Sequence, residues 1–286
     1  MHSRPANAST FAAWWRRLDK SQVLKWTVYI LLTLNWAYYF FDDWRMASFT
    51  LNEGGSFLDW ARAFNTTIDE FGWLGLVYMF ELETYALDDR VFENRALKWS
   101  VHGFRLLCYV LLAHTVFARV DDVRELKSLG RAGDVASLCQ VADGDVSFGE
   151  NYEYTPITSA NCAGLSKSQQ LYYIEPTVIT DADGHELEVW LRWIDLEDAV
   201  VWLLVTWSIE LEVWLQNRDV TGGLLMLVSH SAKVFYAVLL GNAAVWAWLG
   251  HWLYAWDQFL WIAGFWAIEN NIAEWRSEIL DEYSGA

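Results

Sequence analysis

Two apolar stretches of this chain carry the same charged pattern, and that repetition limits what the chain can fold into. Phe80-Glu81-Leu82-Glu83 lies in the first and Ile209-Glu210-Leu211-Glu212 in the second. Asp69, Trp73 and Leu74 precede the first copy at the spacing at which Asp198, Trp202 and Leu203 precede the second. A charged turn follows each copy, and then another apolar run. Those runs carry His102-Gly103-Phe104-Arg105 and His230-Ser231-Ala232-Lys233, and they end alike in Val110-Leu111-Leu112 and Val238-Leu239-Leu240. One residue must be added or removed in the turn to align the whole. Charged groups inside apolar segments of membrane length are costly and rare, so they are the first functional suspects.

Composition narrows the class. Hydrophobic residues make up 54% of the 286 and charged residues 20%, with 20 Trp. That is too apolar by segment for a water-soluble domain and too charged for a bare bundle of spans. The pattern leads us to expect an all-α polytopic membrane protein of about six transmembrane helices, with an internal two-helix pseudo-repeat and a small exported, mostly β insertion between the third and fourth. A net charge of −17 argues against a nucleic-acid partner, which needs a basic surface. No Cys pair has CxxC spacing, so no zinc or redox motif is expected. The N-terminus lacks the apolar run of a cleavable signal peptide, and the first span is expected to act as its own insertion signal.

In chain order, residues 1–22 are expected to be a cytoplasmic segment and 23–118 to hold the first three membrane helices, at Val23–Phe41, Asp69–Leu87 and Leu97–Ala118. A short interfacial helix is expected within Phe57–Phe64. Residues 119–195 are expected to form an extracytoplasmic domain. Its strands are read at Tyr172–Ile174, Thr177–Thr180 and His185–Leu191, with a hairpin turn at Asp183-Gly184. Residues 196–273 are expected to hold the last three spans, at Asp198–Leu215, Leu224–Leu249 and Trp252–Ala273, before a cytoplasmic tail at 274–286. Lys and Arg are concentrated on the side that holds both termini, which predicts a multi-pass protein of the inner membrane with both termini cytoplasmic. Cys139 and Cys162 then share one exported loop, where a disulfide is expected. Cys108 falls inside a span and reads as a small packing residue.

The polar centre follows from helical rise. Glu81 and Arg105 are each about 10–12 Å from the same end of adjacent antiparallel helices, and Glu83 is level with His102. The second copy repeats this for Glu210 with Lys233 and for Glu212 with His230. Glu269 adds a fifth carboxylate. Acid in excess of the cations, next to imidazoles that titrate near neutral pH, is the lining an ion or proton pathway needs. Ion or proton permeation, or coupled transport, is the function this pattern points to, with cations or protons as the species moved and the lipid bilayer as surroundings. The competing class is a non-catalytic membrane scaffold or receptor, in which Glu81–Arg105 and Glu210–Lys233 are structural ion pairs and the exported domain binds a protein partner or a second copy of the chain. A further alternative is a b-type haem held by His102 and His230. Trp residues near span ends suit the membrane interface, and deeper ones suit packing or a quinone pocket. There is no Walker loop, no HExxH and no arginine ladder, and no catalytic residue is singled out. No metal or cofactor is identified.

Overall fold

The computed structural model describes residues 20–51, 54–82, 95–216, 218 and 223–266. Helix α1 spans Lys20–Thr50, α2 Phe57–Ala63, α3 Asn65–Glu81 and α4 Arg95–Ser128. A short 3-10 turn at Leu138–Gln140 leads to strands β1 (Ser147–Glu150), β2 (Glu153–Pro156), β3 (Leu171–Glu175) and β4 (Val178–Asp181). Helix α5 is Ala182–Gln216, α6 is Gly223–Trp248, and residues 252–266 form α7.

The strands make one sheet in the order β2-β1-β4-β3. The β1–β2 and β3–β4 pairs are antiparallel, and β1 lies parallel to β4. A small apolar core under the sheet joins Leu138, Phe148, Ile157, Leu171 and Ile179, and the Cys139–Cys162 disulfide closes its loops. The sheet does not stand apart from the helices. Leu126 near the end of α4 packs against Ile174 and Val178. Buried Arg192 of α5 donates to the Ile174 carbonyl at 2.9 Å and to Glu175 at 2.6 Å. Thr177 donates to the carbonyl of Phe49 in α1 at 2.9 Å.

The main apolar core is helical. Val28, Tyr29 and Leu32 of α1 meet Trp73, Leu74 and Val77 of α3, Trp202 and Val205 of α5, and Leu260 and Trp261 of α7. Helices α3 and α4 approach closely because Gly72 and Gly75 present no side chain. A Cβ on Gly75 would lie 2.6 Å from Cys108 Sγ, so this contact requires glycine. Cys108 itself is fully buried.

These elements correct the six-span, all-α expectation. Among the described residues, only α4 is long and apolar enough to cross a bilayer by length and composition. The mixed sheet is built into the helical framework. The physical reason is that the apolar runs are not the helices. Helix α3, over its described residues, carries Asp69, Glu70 and Glu81 in the run expected to cross lipid. Helices α4 and α5 run on beyond their apolar runs into the segment read as exported, and both pack on the sheet. Buried Asp257 and Gln258 break the apolar run of α7.

The strand expected at His185–Leu191 is also helix. Leu187, Leu191 and Ile194 are spaced four and three residues apart and pack on one cluster, which is a helical period. The Asp183-Gly184 pair, read as a hairpin turn, is the first turn of α5. Asp181 caps it by accepting from the Gly184 N–H at 3.0 Å. The hairpin lies earlier, between β3 and β4. Residues 1–19, residues 83–94 with the end of the second expected span and its turn, the end of the last expected span and the 274–286 tail lie outside the described residues.

Candidate functional site

The acidic residues that the fold gathers flank the repeated motifs. Asp69 and Glu70 come from the second turn of α3, Arg119 from α4, Asp195 and Asp198 from the middle of α5, and Asp257 and Gln258 from α7. They line a narrow cavity of about 100 Å³, walled on its other sides by rings that include Tyr39, Trp73, Trp202 and Trp261. Five carboxyl side chains and one basic side chain, Arg119, line it.

Each acid is held differently. Asp69 accepts from Thr115 and from Arg119, both at 3.1 Å. Arg119 also approaches Asp195 at 3.6 Å. Asp198 accepts from two neutral amides, Asn242 at 3.0 Å and Gln258 at 2.7 Å. Glu70 and Asp257 are both buried and line the same cavity. Trp261 Nε1 donates to Glu70 at 3.1 Å, and Asn35 donates to Asp257 at 2.9 Å.

A wider cavity of about 400 Å³ lies next to it, toward the sheet. Arg62, Asp122, Glu125, Tyr154, Glu175 and Arg192 are among its lining residues, and it shares Arg119, Tyr152 and Asp195 with the narrow cavity. Arg62 bridges Asp121, Asp122 and Glu125 at 3.3, 2.9 and 2.5 Å. Behind the wall, Glu188 is fully buried and accepts from the Tyr152 N–H at 2.9 Å. Burial pushes its carboxyl up to about 7, against the lowering effects of that N–H and of Arg192. Burial raises Glu175 as well, although its partner Arg192 lowers it.

The motif residues fall elsewhere. Glu81 of α3 is buried, accepting from Lys25 Nζ at 2.8 Å and Tyr29 at 2.9 Å. Glu210 is exposed and accepts from Tyr109 at 3.0 Å. His102 and Lys233 are exposed, and Arg105 is half-buried on α4. Glu83 and Glu269 lie outside the described residues, as do the side chains of Glu212 and His230. The haem alternative therefore has one ligand, His102, on an exposed face and the other outside the description. Among the described residues, no group of three or more His, Cys, Asp or Glu is arranged to hold a metal ion.

The sequence did carry a signal for the gathered residues. Asp69 and Asp198, with Trp73 and Trp202, extend the repeat upstream of the motif. The fold brings the two Trp rings to 6.2 Å between centroids. Glu70 and Asp257 have no such marker.

Fold and site together define a helical protein with an attached mixed sheet and an acid-lined buried centre. Compared with known proteins, the chain matches no family model, no curated protein and no solved structure.

Proposed function

We propose that this protein moves a cation or a proton at a membrane, with the acid-lined cavity as the binding station and the wide cavity as its entrance. The observation that carries the reading is the surplus of acid around the narrow cavity, where Glu70 and Asp257 are buried and Asp69, Asp195 and Asp198 half-buried. Arg119 offsets one of the two carboxylates it touches. Neutral groups orient the others without cancelling charge: Asn242 and Gln258 on Asp198, Trp261 on Glu70 and Asn35 on Asp257. Uncompensated charge in a low-dielectric interior is strongly disfavoured, so the site is built to take up protons or a cation. Exposed Trp26, Ile30 and Leu34 on α1, and Trp99, Leu106, Val110 and Phe117 on α4, form apolar stripes that favour lipid as the surrounding medium.

The test is flux in proteoliposomes across a pH gradient with a panel of monovalent cations. The parent is expected to conduct or exchange, and Asp198→Asn to lose at least about tenfold of the flux while still folding, as loss of one charge-assisted contact allows. Flux that is absent in the parent, or unchanged in Asp198→Asn, would overturn the reading. A membrane scaffold or receptor then becomes the better one. The closed environment of Glu81, held by Lys25 and Tyr29, favours a structural role for that residue in either case.

A further inference from the structure

The β1–β2 turn reaches from the sheet into the helical half. Its two residues, Asn151 and Tyr152, both have positive φ, near 58°. A two-residue hairpin of this kind ordinarily carries glycine at its second position, because a side chain there is strained. This chain keeps a tyrosine. Four contacts account for its orientation. Asn151 donates to the Leu249 carbonyl at the end of α6 at 3.0 Å. The Tyr152 N–H donates to buried Glu188 at 2.9 Å. The ring stacks on Trp246 at 6.1 Å between centroids. The hydroxyl donates to Asp195 at 3.2 Å. Asp195 in turn faces Arg119, and these three residues are the ones that both cavities share.

We infer that Tyr152 is the positioning residue of a gate between the wide cavity and the acid-lined centre, closing the passage with its ring and by holding Asp195 beside Arg119. The inference rests on the reading of the buried acids as a cation or proton station. With the hydroxyl bonded, Asp195 is kept on the wall next to Arg119. Without it, the 3.6 Å contact with Arg119 is left to hold the Asp195 carboxylate, and the passage widens. The turn belongs to the sheet, so whatever displaces the sheet displaces the gate.

The experiment is carboxyl labelling of the full-length protein with a water-soluble carbodiimide and an amine, mapped by peptide mass spectrometry. Exposed Asp145 serves as the internal reference. Tyr152→Gly suits the positive φ, so it removes the side chain while relieving the backbone. Tyr152→Phe keeps the ring and removes only the hydroxyl. Relative to Asp145, labelling of Asp198 is expected to rise about tenfold in Tyr152→Phe, as one lost hydrogen bond to a carboxylate allows, and further in Tyr152→Gly. Equal labelling of Asp198 in all three proteins overturns the gate. So does equal acceleration at fully buried Glu188, which means that the fold has opened as a whole. Labelling needs no transport. If Asp198 is uncovered in the variants while the parent shows no flux, the gate stands and the transport reading falls.

Discussion

The hairpins α3–α4 and α5–α6 repeat each other in sequence, yet they treat their matching cavity acid differently. In the first, Asp69 meets Thr115 and the full charge of Arg119. In the second, Asp198 meets Asn242 and, from α7, Gln258. With the one-residue offset of the repeat, the positions matching Thr115 and Arg119 are Ala243 and Ala247. The motif acids diverge as well. Glu81 is buried between Lys25 and Tyr29, whereas Glu210 is exposed beside Tyr109. The packing positions Trp73 and Trp202 still meet at the centre. The lesson is that the repeat preserves packing while the direct partners of the two matching acids differ: a cation for Asp69, neutral amides for Asp198. On the proposed reading, Asp198 is the acid that an incoming cation or proton would meet without a cation already hydrogen-bonded to it.

The strongest way to break this contrast is to remove the compensation. Arg119→Met leaves half-buried Asp69 and Asp195 without their cation and is expected to cost about 3 kcal/mol of stability, the lower end of the range for a fully buried pair. Adding Asp69→Asn should recover part of the loss. Denaturant or thermal unfolding in detergent measures both. A loss below about 1 kcal/mol would mean that the first hairpin is not closed by Arg119.

The next largest effect depends on pH and belongs to the start of the second hairpin. The Glu188 carboxyl rises from 4.5 in the unfolded chain to about 7 in the fold. The folded state therefore holds this proton more tightly. Its contribution is fully present below about pH 4.5 and is lost as pH rises through about 7. The loss is on the order of 3 kcal/mol, at about 1.4 kcal/mol per pH unit. In Glu188→Gln the thermal midpoint should stay flatter across that window. A parallel profile for parent and variant would remove Glu188 as its source.

Smaller effects compare the motif acids directly. Lys25→Met leaves buried Glu81 with the Tyr29 hydroxyl and is expected to cost about 2 kcal/mol. Tyr109→Phe removes a hydrogen bond from exposed Glu210 and is expected to cost at most about 0.5 kcal/mol. Equal costs would erase the distinction between the two motif acids.

Some of this was legible in the chain. Paired apolar runs with polar turns foretold helical hairpins, and the upstream match of Asp69 and Trp73 with Asp198 and Trp202 marked residues that meet. The disulfide between Cys139 and Cys162 was legible from their place in one polar segment, and the structure contains it. The expected spans were less so. Hydropathy reports how apolar a stretch is, not which side of it faces protein. Glu70 and Asp257 lie in different halves of the chain, and nothing local links them. Depth along a helix set Glu81 level with Arg105, but rotation about the axis decides what a side chain meets, and Lys25 of α1 stands within 2.8 Å of Glu81.

By itself the sequence determined the helical hairpins, the acidic excess, the polar segment with its disulfide and the repeated packing positions. These depend on local periodicity and composition, which a chain carries wherever it folds. Only the tertiary structure decided which acids share a cavity, that Arg119 stands between Asp69 of one hairpin and Asp195 of the other, and that the Asn151–Tyr152 turn reaches from the sheet into the helices. Those outcomes depend on helix rotation and on contacts between residues far apart in the chain. A single sequence specifies them only through the packing of the whole.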